Sequence, residues 1–286
     1  MHLLFRLVAL LPLSAVHALG AALARLAFAF AGGERHRLEE NLCRAGYTDR
    51  ALRTAAIEEA GKLMLEMPWV WSRPQEEVAS LVRTVTGAHL IDAGRSRGRG
   101  VIFLTPHLGS FEVAAKYVAA RFMPITVLYR APRQHVFAPL VRAGRGRGNV
   151  QLAAADKSGV KALLRALRRG EAAGILPDQV PSRGEGEWAE FFGSPAYTMT
   201  LATRLQDSIG AAILLALCER LPRGQGFRLS FAPFPASQPG ESPVRRLNRA
   251  LEALIRQRPE QYLWSYNRYK VPDGVAAPDD CRGFID

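Results

Sequence analysis

The chain has 286 residues, enough for one large or two small domains, and 48% of them are hydrophobic, which excludes a disordered chain. Its net charge of +12 favours phosphate-bearing or acidic partners. Arg supplies 33 of the 38 basic residues; Arg suits bidentate phosphate contact, though a GC-rich genome writes the same bias. The three cysteines, Cys43, Cys218 and Cys281, are odd in number and widely spaced, so neither a zinc pattern nor a disulfide framework is expected, and a reducing compartment fits.

The chain opens on an apolar segment. Between Arg6 and Arg25 lie 18 residues without a formal charge apart from the titratable His17, the lower edge for a spanning helix. A signal peptide would need a small-residue cleavage site before a clear mature start, and a core helix is the other alternative. Apolar periodicity runs on to Phe30, and Arg35 and Arg37 follow. The expectation is therefore a membrane anchor or interfacial helix over residues 1–31, with its basic flank in the cytoplasm. Residues 32–286 are expected to form one α/β domain.

Leu38 and Leu42 are four apart, which suits a helix closed by Gly46. A second long helix is predicted over 50–72, with Leu63, Met67, Val70 and Trp71 on one face. From residue 85 strand-like runs alternate with helical ones. The strands are VIFL (101–104), MPITVLYR (123–130), NVQLA (149–153), AAGILPD (172–178), AAILLALCE (211–219) and FRLSFAPF (227–234). Helices are predicted over 111–120, 158–169, 198–209 and 243–258. This alternation implies βαβ units and a mainly parallel sheet flanked by helices.

The strongest chemical signal follows the strand VIFL directly, in Thr105-Pro106-His107-Leu108-Gly109-Ser110-Phe111-Glu112. Pro106 ends the strand, Gly109 permits a tight turn and Ser110 is a natural N-cap. Functional groups of open parallel sheets gather at strand carboxyl ends. On a continuous helix, residues five apart diverge by about 140°, but a turn at Gly109 can bring His107 and Glu112 together. The carboxylate would then hold the imidazole in one tautomer and leave the other nitrogen as a general base. The bland alternative is a capping residue beside a helix-dipole Glu. No G-x-S-x-G is present, so direct transfer fits better than an acyl-enzyme.

Several segments, in order, resemble the bacterial lipid A late acyltransferases, the lauroyl and myristoyl transferases. HLGSFE is similar to that family's H-x4-D/E signature. Tyr129-Arg130, Arg145-Gly146-Arg147-Gly148-Asn149, Pro177-Asp178-Gln179, Phe191-Phe192-Gly193, Pro195-Ala196 and Thr198 resemble its later blocks, and the opening residues resemble its start. The segment Trp264 to Lys270 departs from the family's usual Trp/His/Arg-rich version. The resemblance implies an O-acyltransferase on the cytoplasmic face of a bacterial inner membrane, with an acyl carrier protein thioester as donor and a phosphorylated glycolipid hydroxyl as acceptor. It implies His107 as base and Glu112 as its partner. Arg147 or Arg145 would steady an oxyanion or an acceptor phosphate, with Arg130 and Asp178 at the site's edge.

Other readings carry less. GRGRGN (144–149) precedes a strand, whereas a nucleotide loop follows one. Nucleic-acid binding would need a recognition motif that is missing. Another lipid or polyene acceptor within the same family, and thioester hydrolysis by the same pair, stay open. His17, His36, His89 and His135 have no ligand at metal spacing and read as structural or surface residues. No metal or cofactor is expected.

Overall fold

The computed structural model describes residues 8–96, 98–130 and 144–278; His135 and Cys281 lie outside them. Three helices come first: α1 (Leu13–Phe30), α2 (Gly32–Arg44) and α3 (Arg50–Ser72). Asp49 caps α3, its carboxylate accepting from the Ala51 and Leu52 amides. A short helix α4 (Gln75–Ser80), strand β1 (Val82–Thr86) and helix α5 (His89–Arg95) lead into β2 (Val101–Leu104). Then come α6 (Phe111–Arg121), β3 (Ile125–Tyr129), β4 (Val150–Ala154), α7 (Lys157–Arg168) and β5 (Ala172–Ile175). A two-stranded hairpin, β6 (Gly186–Phe191) and β7 (Ser194–Met199), precedes α8 (Leu201–Ile209), β8 (Ala212–Arg220), β9 (Phe227–Pro233) and α9 (Pro243–Ile255).

The seven-stranded sheet has the order β1-β9-β8-β2-β5-β3-β4. Strands β8, β2, β5, β3 and β4 are parallel neighbours, while β9 runs antiparallel to β8 and parallel to β1. The mainly parallel sheet expected from the alternation is therefore present. Central strands β2 and β5 are buried at every position, as strands covered on both faces must be. Alternation sorts their side chains between two layers. Ile102, Leu104 and Ile175 face Leu163 and Leu167 of α7 and Leu247 and Leu251 of α9. Val101 and Phe103 face Val113 and Val118 of α6 and Ile91 of α5. Strand β1 and the hairpin β6–β7 were not read from the sequence. β1 is an edge strand with three exposed residues out of five, too short and too polar to stand out.

Helix α1 has two apolar stripes. Leu13, Val16, His17, Gly20 and Ala24 are buried, a spacing of three and four that defines one helix face. That face packs on α3, where backbone nearly touches backbone: a Cβ on Gly20 would stand 2.5 Å from the Gly61 carbonyl oxygen. Leu19, Leu23, Leu26 and Phe30 form the second stripe and are exposed. With Leu10 and Met64 of α3 they are the large apolar side chains left exposed among the described residues. Polar ties hold the segment ahead of α1 as well. The Trp69 indole donates to the Leu11 carbonyl and Arg73 to that of Ala9.

The glycine crossing generates a prediction. Gly61→Val forces α1 off α3, and overpacking of this kind costs about 1–3 kcal/mol. A thermal melt in detergent should show a clear drop for this variant. Gly32→Ala, where nothing lies within 4 Å of the new Cβ, should be neutral or slightly stabilising. Equal melting of both variants would contradict the close crossing.

Candidate active site

The site is assembled at the carboxyl ends of β2 and β5. These strands pair in parallel, Leu104 opposite Ile175, and each chain continues three residues to a polar side chain: His107 after β2 and Asp178 after β5. Asp178 holds His107 twice. Its Oδ2 accepts the His107 backbone N–H at 2.9 Å, and its Oδ1 lies 2.8 Å from Nδ1 of the ring. Burial pushes the Asp178 carboxyl up, but the adjacent imidazole and its hydrogen bonds outweigh burial, so the acid lies below the ordinary carboxylate value. An ionised carboxylate only accepts, so Nδ1 must donate, and in the neutral ring the lone pair is then on Nε2. The Gln179 amide nitrogen stands 3.2 Å from that Nε2, as a donor would.

Glu112 lies elsewhere. Its carboxylate takes Arg145 Nη2 at 2.7 Å, and both side chains are largely shielded from solvent. The direct His107–Glu112 pairing expected from the motif is therefore not the contact that the imidazole's Nδ1 makes. The turn at Gly109 aims His107 at the neighbouring strand end, while Glu112 falls within the first turn of α6 and faces Arg145. Lys116, one turn further along α6, is buried with its ammonium on the Val70 and Arg73 carbonyls at the end of α3. Burial pulls its pKa down to about 8.

His107, Gln179, Arg130 and Arg145 line a cavity of about 730 Å³, a size typical of ligand sites. It lies over the carboxyl ends of β3, β4 and β5. Its walls include Leu128, Val160, Leu164, Leu176, Val180, Met199, Leu201 and Leu205, and its rim carries Lys157, Lys161 and Arg204. Arg145 also lines a smaller apolar pocket with Glu112, Phe111 and Val127, and so stands between the two. Arg147 is exposed and donates to the Ser72 carbonyl at 3.3 Å; it is not among the residues lining either space.

The loop that carries His107 is tied down on every side. Leu263 N–H donates to the His107 carbonyl, Gly109 N–H to that of Gln261 and Ser110 N–H to that of Cys218. A Cβ at Gly109, whose φ is +58°, would lie 2.1 Å from the Cys218 oxygen, so both the turn and the close approach demand glycine. Tyr262 is buried against the Asp178 carboxylate, and the Tyr266 hydroxyl accepts from Val180 N–H. The segment Trp264–Lys270, noted for departing from the family pattern, thus belongs to a stretch that braces both site loops. Arg268 in it is buried and donates to the Tyr197 carbonyl and the Thr198 hydroxyl. Phe191-Phe192-Gly193 forms the turn of the β6–β7 hairpin, with both rings in the core.

Sheet, loop and cavity together define an α/β fold with a histidine–aspartate pair beside a cavity at strand carboxyl ends. The chain belongs to the bacterial lipid A biosynthesis acyltransferase family, whose model matches residues 2–271, and it is an O-acyltransferase. It is similar to the lipid A biosynthesis lauroyltransferase of Escherichia coli (strain K12), with 26% identity over 94% of this chain and 90% of that protein. It is similar also to the lipid A biosynthesis palmitoleoyltransferase of the same organism, with 27% identity over 83% of this chain and 74% of that protein.

Because Asp178 is more acidic folded than unfolded, it stabilises the fold above the unfolded carboxyl's pKa of about 4, and this contribution is lost as pH falls through the lower, folded value. Asp178→Asn should therefore lower the urea midpoint at pH 7, and the gap to the unmodified protein should close as pH falls below about 4. A gap that stays constant with pH would contradict the ionised Asp178.

Proposed function

We propose that this enzyme moves a fatty acyl chain from an acyl carrier protein thioester to a hydroxyl of a lipid A precursor directly, with no acyl-enzyme intermediate. The observation that carries this reading is the imidazole of His107 at an apolar cavity, Nδ1 held by Asp178 and Nε2 turned to the one amide donor of Gln179. When the acceptor hydroxyl replaces the Gln179 amide, Nε2 takes its proton as the oxygen attacks the thioester carbon. The tetrahedral oxyanion then collapses and expels the carrier thiolate, which takes the proton back from the His107 imidazolium and restores the base. Asp178 stabilises the imidazolium that forms in between. Arg145, which shares the cavity with His107, is suited to the oxyanion or to an acceptor phosphate. Glu112 contributes by holding that Arg. Arg130 at the cavity is suited to a second anionic group, and the exposure of Arg147 leaves it a peripheral phosphate contact.

The acyl chain fits the apolar walls, and the rim cations Lys157, Lys161 and Arg204 suit an acidic carrier or a phosphate. The exposed stripe Leu19, Leu23, Leu26 and Phe30 suits a lipid surface. It supports residues 1–31 as the membrane-contacting segment at the cytoplasmic face of the inner membrane, with α1 docked on the remaining α/β domain.

The test is a reconstituted reaction of the purified full chain with acyl carrier protein thioester and lipid A precursor in detergent. A general base typically contributes about 10²–10⁴-fold, so His107→Ala should lose that much kcat and still fold, since the side chain packs little core. Undiminished turnover by the variant would overturn the base assignment. Turnover by the unmodified protein with coenzyme A thioester alone would overturn the donor.

A further inference from the structure

Behind the His107 turn, away from the cavity, lies a buried cluster of charges that the reaction does not use. Glu66 of α3 and Arg220 at the end of β8 are almost fully shielded from solvent and pair at 2.8 Å. Arg220 also reaches Glu59 at 3.3 Å and donates from Nη2 to the Gly109 carbonyl at 2.7 Å. The other oxygen of Glu66 accepts the hydroxyl of Ser110, a side chain with no exposure. Its paired oxygen takes Nε2 of His17, on the docked face of α1, at 2.8 Å. Gln261 closes the frame, exchanging hydrogen bonds with the Arg220 backbone while its carbonyl takes the Gly109 amide.

We propose that Glu66 and Arg220 are positioning residues for the His107 turn, and that His17 makes the lipid-facing helix α1 part of that support. Two charges taken out of water cost several kcal/mol each unless every lone pair and proton is matched. Here the matching partners are atoms of the turn itself. Arg220 takes the Gly109 oxygen and Glu66 the Ser110 hydroxyl, two and three residues beyond His107. The pair therefore tolerates one placement of the turn. Displacing it would leave a buried charge short of a partner. The third partner of Glu66 comes from α1, a helix whose opposite stripe is exposed and apolar. One helix thus carries a lipid face on one side and a hydrogen bond to the site's scaffold on the other. Ordinary core packing would call for apolar side chains at 17, 66 and 220, where the same volume costs no desolvation.

This inference rests on His107 as the working base, and its test is built to fail separately from that reading. His17→Leu removes one partner of Glu66. His17→Gln keeps an N–H donor near the Nε2 position. In the full chain in detergent, His17→Leu should lower kcat by about 10–100-fold, in line with a loosened reacting geometry, with KM for donor and acceptor within about twofold. The Gly109 and Ser110 amides should exchange with deuterium faster than in the unmodified protein, while those of β2 and β5 stay protected. His17→Gln should recover most of both losses. Exchange at Gly109 and Ser110 that is unchanged in His17→Leu overturns the proposal whatever the rate does. So does equal loss of kcat in the Leu and Gln variants. If the unmodified protein transfers no acyl chain from the supplied donor, the proposed reaction falls, and the exchange comparison still decides the support. Should His17→Leu not fold, Ser110→Ala carries the same comparison, since it deletes only the hydroxyl contact with Glu66.

Discussion

Leu104 pairs with Ile175, and three residues further along each strand stand His107 and Asp178. Parallel pairing in this register is the constraint from which the site's chemistry follows. It places a carboxylate beside an imidazole without requiring either residue to reach, and it uses both oxygens of Asp178, one for the ring and one for the backbone of the same histidine. A carboxylate so engaged stays ionised despite its burial. An ionised Asp178 fixes a proton on Nδ1, and in the neutral ring that leaves the lone pair on Nε2, as the proposed base requires. Each step is electrostatic or geometric and none depends on a flexible side chain.

The parallel strands and the helices between them were legible because buried strands are continuous apolar runs and the flanking helices are amphipathic. The position of His107 was legible too, since it directly follows a buried apolar strand. The partner was not. H-x4-E draws attention to Glu112 because the two lie close in sequence, whereas the side chain that meets Nδ1 is 71 residues away. Only strand order reveals that contact: β5 inserts between β2 and β3, and nothing local in the sequence announces it. Asp178 was singled out as a site-edge residue, because it closes a buried strand, but its contact with His107 needed the fold. Glu66, Arg220 and Gln261 were missed altogether. A Glu within an apolar helix stripe and an Arg closing a core strand were the available signals, and each looks like a solvated charge until the partners are seen.

The amino-terminal helix shows why the choice between anchor and core helix had no answer in composition. Both stripes of α1 are apolar. One is consumed by α3, through a glycine pair that lets the backbones nearly touch, and the other is left uncovered. Hydropathy adds the two together, whereas burial separates them. His17, the titratable residue of the otherwise uncharged stretch, lies on the docked stripe, bonded to Glu66. A polar side chain there would be hard to explain for a helix surrounded by lipid and is natural for one that shares a face with the domain.

The central claim is that Asp178 holds His107 with the proton on Nδ1 and the lone pair on Nε2. Nitrogen NMR of the full chain carrying ¹⁵N-labelled histidine tests it most directly, with His107→Gln identifying the resonances. The account predicts a protonated Nδ1 and an unprotonated Nε2 for the neutral ring of His107. It predicts that this preference weakens in Asp178→Asn and persists in Glu112→Gln. A proton on Nε2 in the unmodified protein, or a tautomer that follows Glu112 instead of Asp178, would contradict it.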